Sequence, residues 1–442
     1  MFAAQDDVQV QHELLAALRK ARAQTDKLFA LVKSDSLYER PIPERHRIVF
    51  YVGHLDAFDW NLVRGLIPHL PSFHPGFDQL FAFGIDPVDG GLPTDQPKDW
   101  PTLNEIHAYR NRVRETLDSV LENPAFWHSE YGGFSAATLM NVAMEHRLMH
   151  AETLAYMFHQ LPLEQKIHQG NLPAHTAQPL DFEMIEVPAG DATLGLSRND
   201  ATFGWDNEFE AHKVPVPAFE MDRYKVTNGQ YLEFVEAGGY SSRSLWPEAG
   251  WTWKTEHNLS HPLFWKRRNG RWYYRTMFDE LPLPLDWPVF VSHAEASAYA
   301  CWTGKKLPAE AQWHRAAYGS AAGSERAYPW GSETPGRIHG YFDFKRWDPT
   351  PVNAFPRGAS ACGVVGLVGN GWEWTSSVFE PFAGFRQFSF YPGYSANFFD
   401  GKHYVLKGGS TRTAACMLRR SFRNWFQPHY PYVYAGFRCV SE

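Results

Sequence analysis

The chain has 442 residues, 44% of them hydrophobic, which is enough material for two or three domains with buried cores. Its formal net charge is -7 and neither sign gathers into long runs, which excludes a basic stripe for nucleic acid and a polybasic segment for lipid. The N-terminus lacks the basic start of a signal peptide, and no run of about 18 apolar residues occurs. We therefore expect a cytoplasmic protein with small-molecule partners, no nucleic acid and no membrane.

The first part of the chain, residues 8–163, has the periodicity of helices. Apolar residues recur at three- and four-residue intervals in four segments, and Thr102 and Glu105 have capping-box spacing ahead of one of them. Four such segments predict an antiparallel bundle. The polar segment 164–180 contains two prolines and predicts a linker to a second domain.

The second part, residues 181–442, has short apolar runs separated by Gly, Pro, Asn and Asp. Two short helices are predicted, in VTNGQYLEFVEAGG and SHAEASAYACWTGKK, because each has a Thr or Ser cap at its start. The rest predicts short strands and long ordered loops. The four cysteines are scattered singly, without a CxxC pair, so neither a zinc knuckle nor a redox motif is indicated. The fold class predicted for the chain is α+β.

Three histidines in the helical part have the pattern of a metal site. His146 and His150 are four residues apart on a helical segment, so their side chains project from one face. His54 lies on another amphipathic segment, and facing helices of a bundle supply ligands to a shared site. Three imidazoles without a carboxylate suit Zn(II), Fe(II) or Cu(II) and leave positions open for substrate. On spacing alone, however, such a pair is more often a surface or capping feature.

A further set of motifs is more specific than the histidine pair. It comprises FEMIEVPAG (182–190), DRYKVTNGQYLEFVEAGGY (222–240), KKLPAEAQWHRAA (305–317), YPWG (328–331), GLVGNGWEWTSS (366–377), VLKGGS (405–410), RRSFRNWF (419–426) and AGFR (435–438). With HRLMH at 146–150, these motifs make the chain resemble the ergothioneine-type sulfoxide synthases over nearly its whole length. The resemblance implies a DinB-like four-helix bundle followed by a C-type-lectin-like domain of the formylglycine-generating-enzyme type.

The resemblance also implies a metal and a reaction. In the family, one histidine from an early helix and two from an HxxxH motif hold Fe(II), and His54, His146 and His150 match these positions. The enzymes use dioxygen to join a chalcogen atom to the imidazole of hercynine, which is trimethylated histidine. One departure concerns the residue before the last histidine, which is usually Gln and is Met149 here. A polar contact to hercynine is therefore in doubt.

The RNWF motif carries the implied substrate site. In the family, the Asn and the aromatic residue of this motif contact the carboxylate and the quaternary ammonium of hercynine, and Asn424 and Trp425 occupy those positions. An indole face is the best side-chain surface for such a cation. A tyrosine near the iron is also expected to handle protons or electrons. Tyr391 and Tyr394 are candidates by position only, and packing in an aromatic core is the more common role for a tyrosine in such a segment.

Two departures from the family bear on the chalcogen donor. Members that use gamma-glutamylcysteine have Asp after the aromatic residue of RNWF, where this chain has Phe426. They also carry an Arg pair in the loop before the third bundle helix, and the corresponding residues 81–100 contain no arginine. Losing both features favours a neutral donor, as in the selenoneine synthase branch, which uses a selenosugar. If a peptide thiol is used after all, Arg110 or Arg112 are candidates to bind its carboxylates.

The sequence therefore predicts an Fe(II)- and dioxygen-dependent synthase that forms a carbon-selenium bond on hercynine, with a selenosugar as donor. Carbon-sulfur bond formation with a thiol donor is the nearest alternative. Two alternatives belong to other classes of protein. DinB-like bundles with three histidines also serve as zinc-dependent thiol transferases, and a lectin-like fold on a degenerate bundle would make a binding module without catalysis. The transferase does not account for the C-terminal domain or RNWF, and the binding module predicts no metal at stoichiometric level.

Overall fold

The computed structural model describes residues 2–442 except residues 68, 83–91, 129, 132, 171–179, 201 and 321. The chain divides into two compact units, Met1–Gln169 and Gly170–Glu442. This division falls within the segment 164–180 that the sequence assigns to a linker, of which residues 171–179 lie outside the described part. In the part of the chain that is described, no helix combines the length and the hydropathy needed to cross a membrane.

Helices form nearly all of the first unit. In chain order they are α1 (Phe2–Phe29), α2 (Ile48–Leu66), α3 (Pro75–Leu80), α4 (Leu103–Leu121), α5 (Pro124–Trp127) and α6 (Ala136–Gln160). A short antiparallel pair, β1 (Glu130–Tyr131) and β2 (Phe134–Ser135), precedes α6. The four long helices make the bundle, in which α6 packs against α1 and α2, and α2 packs against α4. The DinB-like bundle predicted from the sequence is therefore confirmed.

Side-chain caps fix where the bundle helices begin. The Thr102 hydroxyl accepts the backbone N–H of Glu105, and the Glu105 carboxylate accepts the backbone N–H of Thr102 at 2.8 Å, which confirms the predicted capping box. The Ser135 hydroxyl caps α6 by accepting the backbone N–H of Thr138 at 3.2 Å. Helix α6 is buried on almost every side, as expected of a helix at the centre of a bundle. Any polar side chain on α6 is therefore held in a largely apolar surrounding.

The described part of the second unit contains four further α-helices. They are α7 (Asn228–Glu236), α8 (Glu248–Glu256), α9 (His293–Trp302) and α10 (Glu310–Tyr318). Helices α7 and α9 confirm the two predicted from their Thr and Ser caps. The prediction of only strands and loops elsewhere was wrong at α8 and α10. Each has nine residues, too few for a clear periodicity, and neither begins with a Ser or Thr cap like those of α7 and α9. Helix α10 is stabilised by burying Trp313 and its neighbours in the core.

Short strands build the sheets of the second unit. They are β3 (Met184–Val187), β4 (Gly190–Leu194), β5 (His212–Val216), β6 (Phe219–Asp222), β7 (Trp265–Arg268), β8 (Arg271–Arg275), β9 (Glu280–Pro282), β10 (Trp372–Val378), β11 (Tyr404–Lys407), β12 (Asn424–Phe426), β13 (Ala435–Gly436) and β14 (Val440–Ser441). The largest sheet has the order β12-β11-β10-β13, in which β10 and β13 run parallel. The others have the orders β14-β6-β3, β4-β5 and β7-β8-β9. The strand that carries RNWF, β12, therefore lies at an edge of the main sheet.

A buried ion pair at the centre of the second unit connects its sheets. Arg438 forms a two-pronged pair with Glu373 on β10, at 2.7 and 2.9 Å, and both side chains are fully buried. Arg438 also donates to the backbone carbonyls of Asp222 and Val365 at 2.9 and 3.1 Å. The Lys225 ammonium contacts the same Glu373 carboxylate at 3.0 Å. These bonds join the main sheet to β6 and to the glycine-rich segment before β10.

Candidate metal centre

Helices α2 and α6 bring three histidines together inside the bundle. His54 lies on α2, while His146 and His150 lie one turn apart on α6. One nitrogen from each ring can be chosen so that all three lie within 4.8 Å of one another. Among the described residues, this is the cluster that can hold a metal ion, and it includes no carboxylate. The structure thus brings together the three histidines named from the sequence.

The spacing of the two α6 nitrogens suits a single metal ion. The Nε2 atoms of His146 and His150 are 3.2 Å apart. Two nitrogens bound to one ion at about 2.1 Å lie roughly 3.0 to 3.4 Å apart when the angle between them is between a right angle and a tetrahedral angle. The two rings are also close to perpendicular, at 76°. Both nitrogens can therefore point at the same ion without any change of helix geometry.

A backbone contact fixes the orientation and tautomer of His54. Its Nδ1 lies 2.8 Å from the carbonyl oxygen of Phe81, and because a carbonyl can only accept, Nδ1 carries the proton. The Nε2 lone pair then faces the other two rings. Phe81 can come this close because residue 53 is glycine, since a Cβ at Gly53 would lie 2.6 Å from the Phe81 ring. Neither Gly53 nor Phe81 was singled out from the sequence.

Burial keeps the α6 histidines neutral. It lowers the pKa of His146 and of His150 well below the usual value of free histidine, and the neighbouring imidazoles lower both further. Aromatic rings wall the cluster: Phe58 stacks on His146 with ring centroids 3.5 Å apart, and Phe50 stacks on His54 at 4.7 Å. Neutral imidazole is the form that binds metal ions, so the cluster is ready for a metal at neutral pH.

The residues predicted to bind substrate belong to the second unit. Asn424, Trp425 and Phe426 form strand β12, which pairs with Tyr404–Leu406 of β11. Side chains alternate along a strand, which places Asn424 and Phe426 on one face and Trp425 on the other. All three are partly buried, and Phe426 stacks on Tyr430 with ring centroids 5.2 Å apart. A ligand that contacts both Asn424 and Trp425 must therefore reach around the edge of the sheet.

An aromatic cluster surrounds Trp425. Phe379 covers one face of the indole, with centroids 4.2 Å apart and an angle of 7° between the rings. Tyr394 meets Trp425 edge-on at 5.4 Å, and Phe398 lies at 5.6 Å. Such rings make a rigid, electron-rich wall that suits a cation. Of the two candidate tyrosines, the structure therefore places Tyr394 beside Trp425.

Tyr391 and Tyr394 differ in their surroundings. Tyr394 is buried and stacks on Trp205 with centroids 3.9 Å apart, which is what a packing residue does. Tyr391 is more exposed and lies 5.7 Å from Tyr394 between ring centroids. A role in proton or electron transfer stays a prediction for both.

Buried charges hold the start of β12 in place. Arg423, next to Asn424, donates to Glu310 on α10 at 3.1 Å and is almost fully buried. The Lys407 ammonium on β11 donates to the backbone carbonyl of Phe422 at 2.7 Å. Burial lowers the pKa of Lys407 to about 8, while Glu310 opposes that shift. These contacts, which sequence reasoning did not identify, fix the backbone that presents Asn424 and Trp425.

Comparison with known families agrees with the two-unit architecture. Residues 17–154 match the model of the DinB superfamily, and residues 169–442 match that of the sulfatase-modifying factor enzyme 1-like domain. The second match covers more than half of the chain. It confirms the prediction of a domain of the formylglycine-generating-enzyme type.

Several known proteins match the chain, and two of these matches are long enough to span both units. The hercynine oxygenase of Mycolicibacterium thermoresistibile is 37% identical over 386 residues, which cover 86% of this chain and 83% of that protein. The hercynine oxygenase of Mycobacterium tuberculosis is 43% identical over 250 residues, covering 56% of this chain and 58% of that protein. Ergothioneine biosynthesis protein 1 of Neurospora crassa is 28% identical, and the match covers 93% of this chain and 56% of that protein.

The match to the hercynine oxygenase of Mycolicibacterium thermoresistibile is longer than either unit, so it extends through both the bundle and the C-terminal domain. The chain therefore belongs to the family of ergothioneine-type sulfoxide synthases.

Proposed function

We propose that this protein is an Fe(II)- and dioxygen-dependent synthase that forms a carbon-selenium bond at C2 of the hercynine imidazole, with a selenosugar as the donor. The convergence of His54, His146 and His150 is the observation that carries this proposal. When bound there, Fe(II) activates dioxygen and lowers the pKa of the donor selenol. Joining the two partners removes one hydrogen from each, and dioxygen accepts the two electrons and two protons to become hydrogen peroxide. If the chalcogen is oxidised as well, one oxygen atom instead leaves as water and the other stays on the chalcogen.

The relatives support hercynine as the acceptor substrate, since two of them are named hercynine oxygenases. Hercynine carries a quaternary ammonium group and a carboxylate. The aromatic cluster around Trp425 offers ring faces for the cation, and the Asn424 side-chain amide offers N–H donors for the carboxylate. Asn424 lies on the same face of β12 as Phe426, so the acceptor and donor positions adjoin. We assign hercynine binding to Asn424 and Trp425 on these grounds.

The donor is proposed to be neutral because the arginines that contact the relevant loop already share a carboxylate. Residues 83–91 of the loop 81–100 lie outside the described part, but its second half is held by Arg40 and Arg47, which both pair with Asp95. Arg47 binds the carboxylate at 3.0 Å and also donates to the Asp95 carbonyl at 2.7 Å. A peptide thiol with two carboxylates would have to displace Asp95 from these partners.

The two arginines considered on the third long helix are also engaged. Arg110 is buried and pairs with Asp56 at 2.9 Å and with Asp26 at 2.6 Å. Arg112 lies over the ring of Phe73, with its guanidinium carbon 4.5 Å from the ring centroid. Leaving a carboxylate buried without a partner costs several kcal/mol, on the order of 2 to 5. A neutral sugar selenol has no carboxylate to bury, so its binding does not incur this cost.

One observation favours the sulfur-using alternative. Arg45 lies close enough to His150 for its charge to lower the pKa of that histidine, and it donates to the Tyr156 hydroxyl at 2.9 Å. An arginine whose charge acts on the histidine cluster can attract one carboxylate of a thiol donor. Carbon-sulfur bond formation therefore remains the second candidate function, with Arg45 as the residue that would serve it.

The first prediction concerns the metal ligands. Replacing His54, His146 or His150 by Ala should abolish turnover and leave well under one iron per chain, because two imidazoles hold a divalent ion far less tightly than three. Iron content after anaerobic loading and desalting measures this. His159→Ala is the matched control, since His159 is a buried histidine of α6 outside the cluster and should retain iron. Full iron occupancy in a variant lacking all three histidines would refute the assignment.

The second prediction tests whether Trp425 recognises the quaternary ammonium. Trp425→Ala should weaken use of hercynine by about 1 to 2 kcal/mol, roughly 5- to 30-fold in kcat/KM, and should affect histidine much less because it lacks the trimethylated cation. Steady-state kinetics with both substrates measures the difference. Trp253→Ala, a partly buried tryptophan that stacks on His429, is the control. Equal losses for hercynine and histidine would mean that Trp425 only packs.

The third prediction concerns the donor. The wild-type protein should prefer a selenosugar to gamma-glutamylcysteine by at least roughly 100-fold in kcat/KM, or about 2.7 kcal/mol, because loop 81–100 contains no arginine and the described arginines that contact it, Arg40 and Arg47, already bind Asp95. Phe426→Asp alone should not install activity with the peptide thiol, and Phe426→Leu serves as its apolar control. Competition between the two donors, followed by mass spectrometry, measures the ratio. Comparable efficiencies that Arg45→Met selectively abolishes would establish the sulfur-using alternative instead.

A further inference from the structure

Helices α2 and α6 contact each other through two layers of side chains. One layer consists of the histidine cluster. The second layer is an ion-pair cluster formed by Asp56 and Asp59 on α2 and Arg147 on α6, and all three side chains are buried. Arg147 directly follows His146, and Asp56 comes two residues after His54. Along each helix, a residue of the ion-pair cluster therefore lies only one or two positions from a histidine of the other layer.

Arg147 binds both the side chains and the backbone of α2. Its Nη2 lies 2.8 Å from Oδ1 of Asp56 and 2.7 Å from Oδ2 of Asp59. The same nitrogen lies 2.7 Å from the carbonyl oxygen of Leu55, the residue that follows His54. Because one nitrogen of Arg147 contacts three oxygens of α2, it fixes both the rotation of α2 and its position along α6.

An outer layer continues the network toward the surface. Asp56 also accepts from Arg110 and Arg114 on α4, at 2.9 and 3.0 Å. These two arginines share Asp26 of α1, which is partly exposed, at 2.6 and 2.7 Å. Asp26 therefore shares the two α4 arginines with Asp56, but it makes no contact with Arg147 among the hydrogen bonds and ion pairs of the described residues.

Buried ion pairs between helices contribute more to geometry than to stability. Taking charges out of water offsets much of their attraction, so an apolar contact of equal size is often as stable. An apolar contact, however, tolerates small rotations and shifts between helices. A metal site requires its ligands to be held to about 0.5 Å, and its supporting residues must be fixed by hydrogen bonds. The cluster around Arg147 supplies directional bonds of this kind beside the histidines.

We propose that Asp56 and Arg147 are positioning residues for the metal centre, which set the rotation and register of α2 against α6 so that the three histidine nitrogens converge. This inference rests on the metal site in the proposed function. It assigns a role in metal geometry to the inner pair, while the outer residue Asp26 stabilises the bundle without setting that geometry.

The test uses the full-length protein with Co(II) alone as the probe metal, because its visible absorption reports the number and arrangement of ligands. Arg147→Met and Asp56→Asn are compared with Asp26→Asn, the matched control from the outer layer. Arg147→Lys is the conservative variant, since an ammonium can replace the one nitrogen that makes the three short contacts. Asp59→Asn removes a single contact and provides a milder variant if Arg147→Met does not fold. Metal affinity is measured by competition with a chelator, and circular dichroism verifies folding.

The inner-layer variants should lose about 10- to 100-fold in Co(II) affinity, as is typical when groups supporting metal ligands are removed, and should show an altered absorption band. Asp26→Asn should keep the wild-type affinity and spectrum, and Arg147→Lys should recover most of the loss. Folded Arg147→Met or Asp59→Asn with wild-type affinity and spectrum would overturn the inference while the metal site stands. If the wild-type protein itself binds no Co(II), the proposed metal site fails and the inference fails with it.

Discussion

The contact between helices α2 and α6 is the constraint on which the candidate metal centre depends, because His54 lies on one helix and His146 and His150 on the other. Their nitrogens converge only when the two helices hold one rotation and one register. Burial then makes the α6 imidazoles neutral, so that no proton competes with a metal for their lone pairs. The Phe81 carbonyl keeps the proton of His54 on Nδ1, so that Nε2 keeps its lone pair for a metal ion. The bundle therefore acts as a preformed ligand set rather than as a scaffold that a metal must organise.

In the second unit, buried charges fix the position of the edge strand β12. An edge strand has backbone partners on one side only, so other contacts must fix the residues it presents. Arg423 with Glu310, and Lys407 with the carbonyl of Phe422, hold the backbone beside Asn424. The cost of burying these charges is offset because each has a close partner, and the result is a rigid presentation of the RNWF side chains. Proposed recognition of hercynine thus depends on residues that do not touch it.

The sequence predicted the features with strong local signals and missed those that depend on long-range packing. The Thr102 capping box and the bundle helices follow from spacing alone, and motif resemblance singled out the HxxxH pair and identified the family. Helices α8 and α10 were not predicted because nine residues give little periodicity and neither helix has the Ser or Thr cap that indicated α7 and α9. The Phe81 carbonyl could not be assigned to His54 from sequence, since 27 residues separate them, although a glycine inside a helix at Gly53 is a costly choice that signals a close approach. Strand alternation also separates Asn424 from Trp425, which the motif alone did not reveal.

The most direct test of the account is to load the protein anaerobically with Fe(II), add hercynine with a selenosugar or with gamma-glutamylcysteine, admit air, and identify the products by mass spectrometry. The account predicts a product in which the chalcogen is joined to the hercynine imidazole, formed only when both Fe(II) and dioxygen are present and chiefly with the selenosugar. Transfer of a thiol by the Zn(II)-loaded protein without dioxygen, or no product with either donor in iron-replete protein, would contradict it.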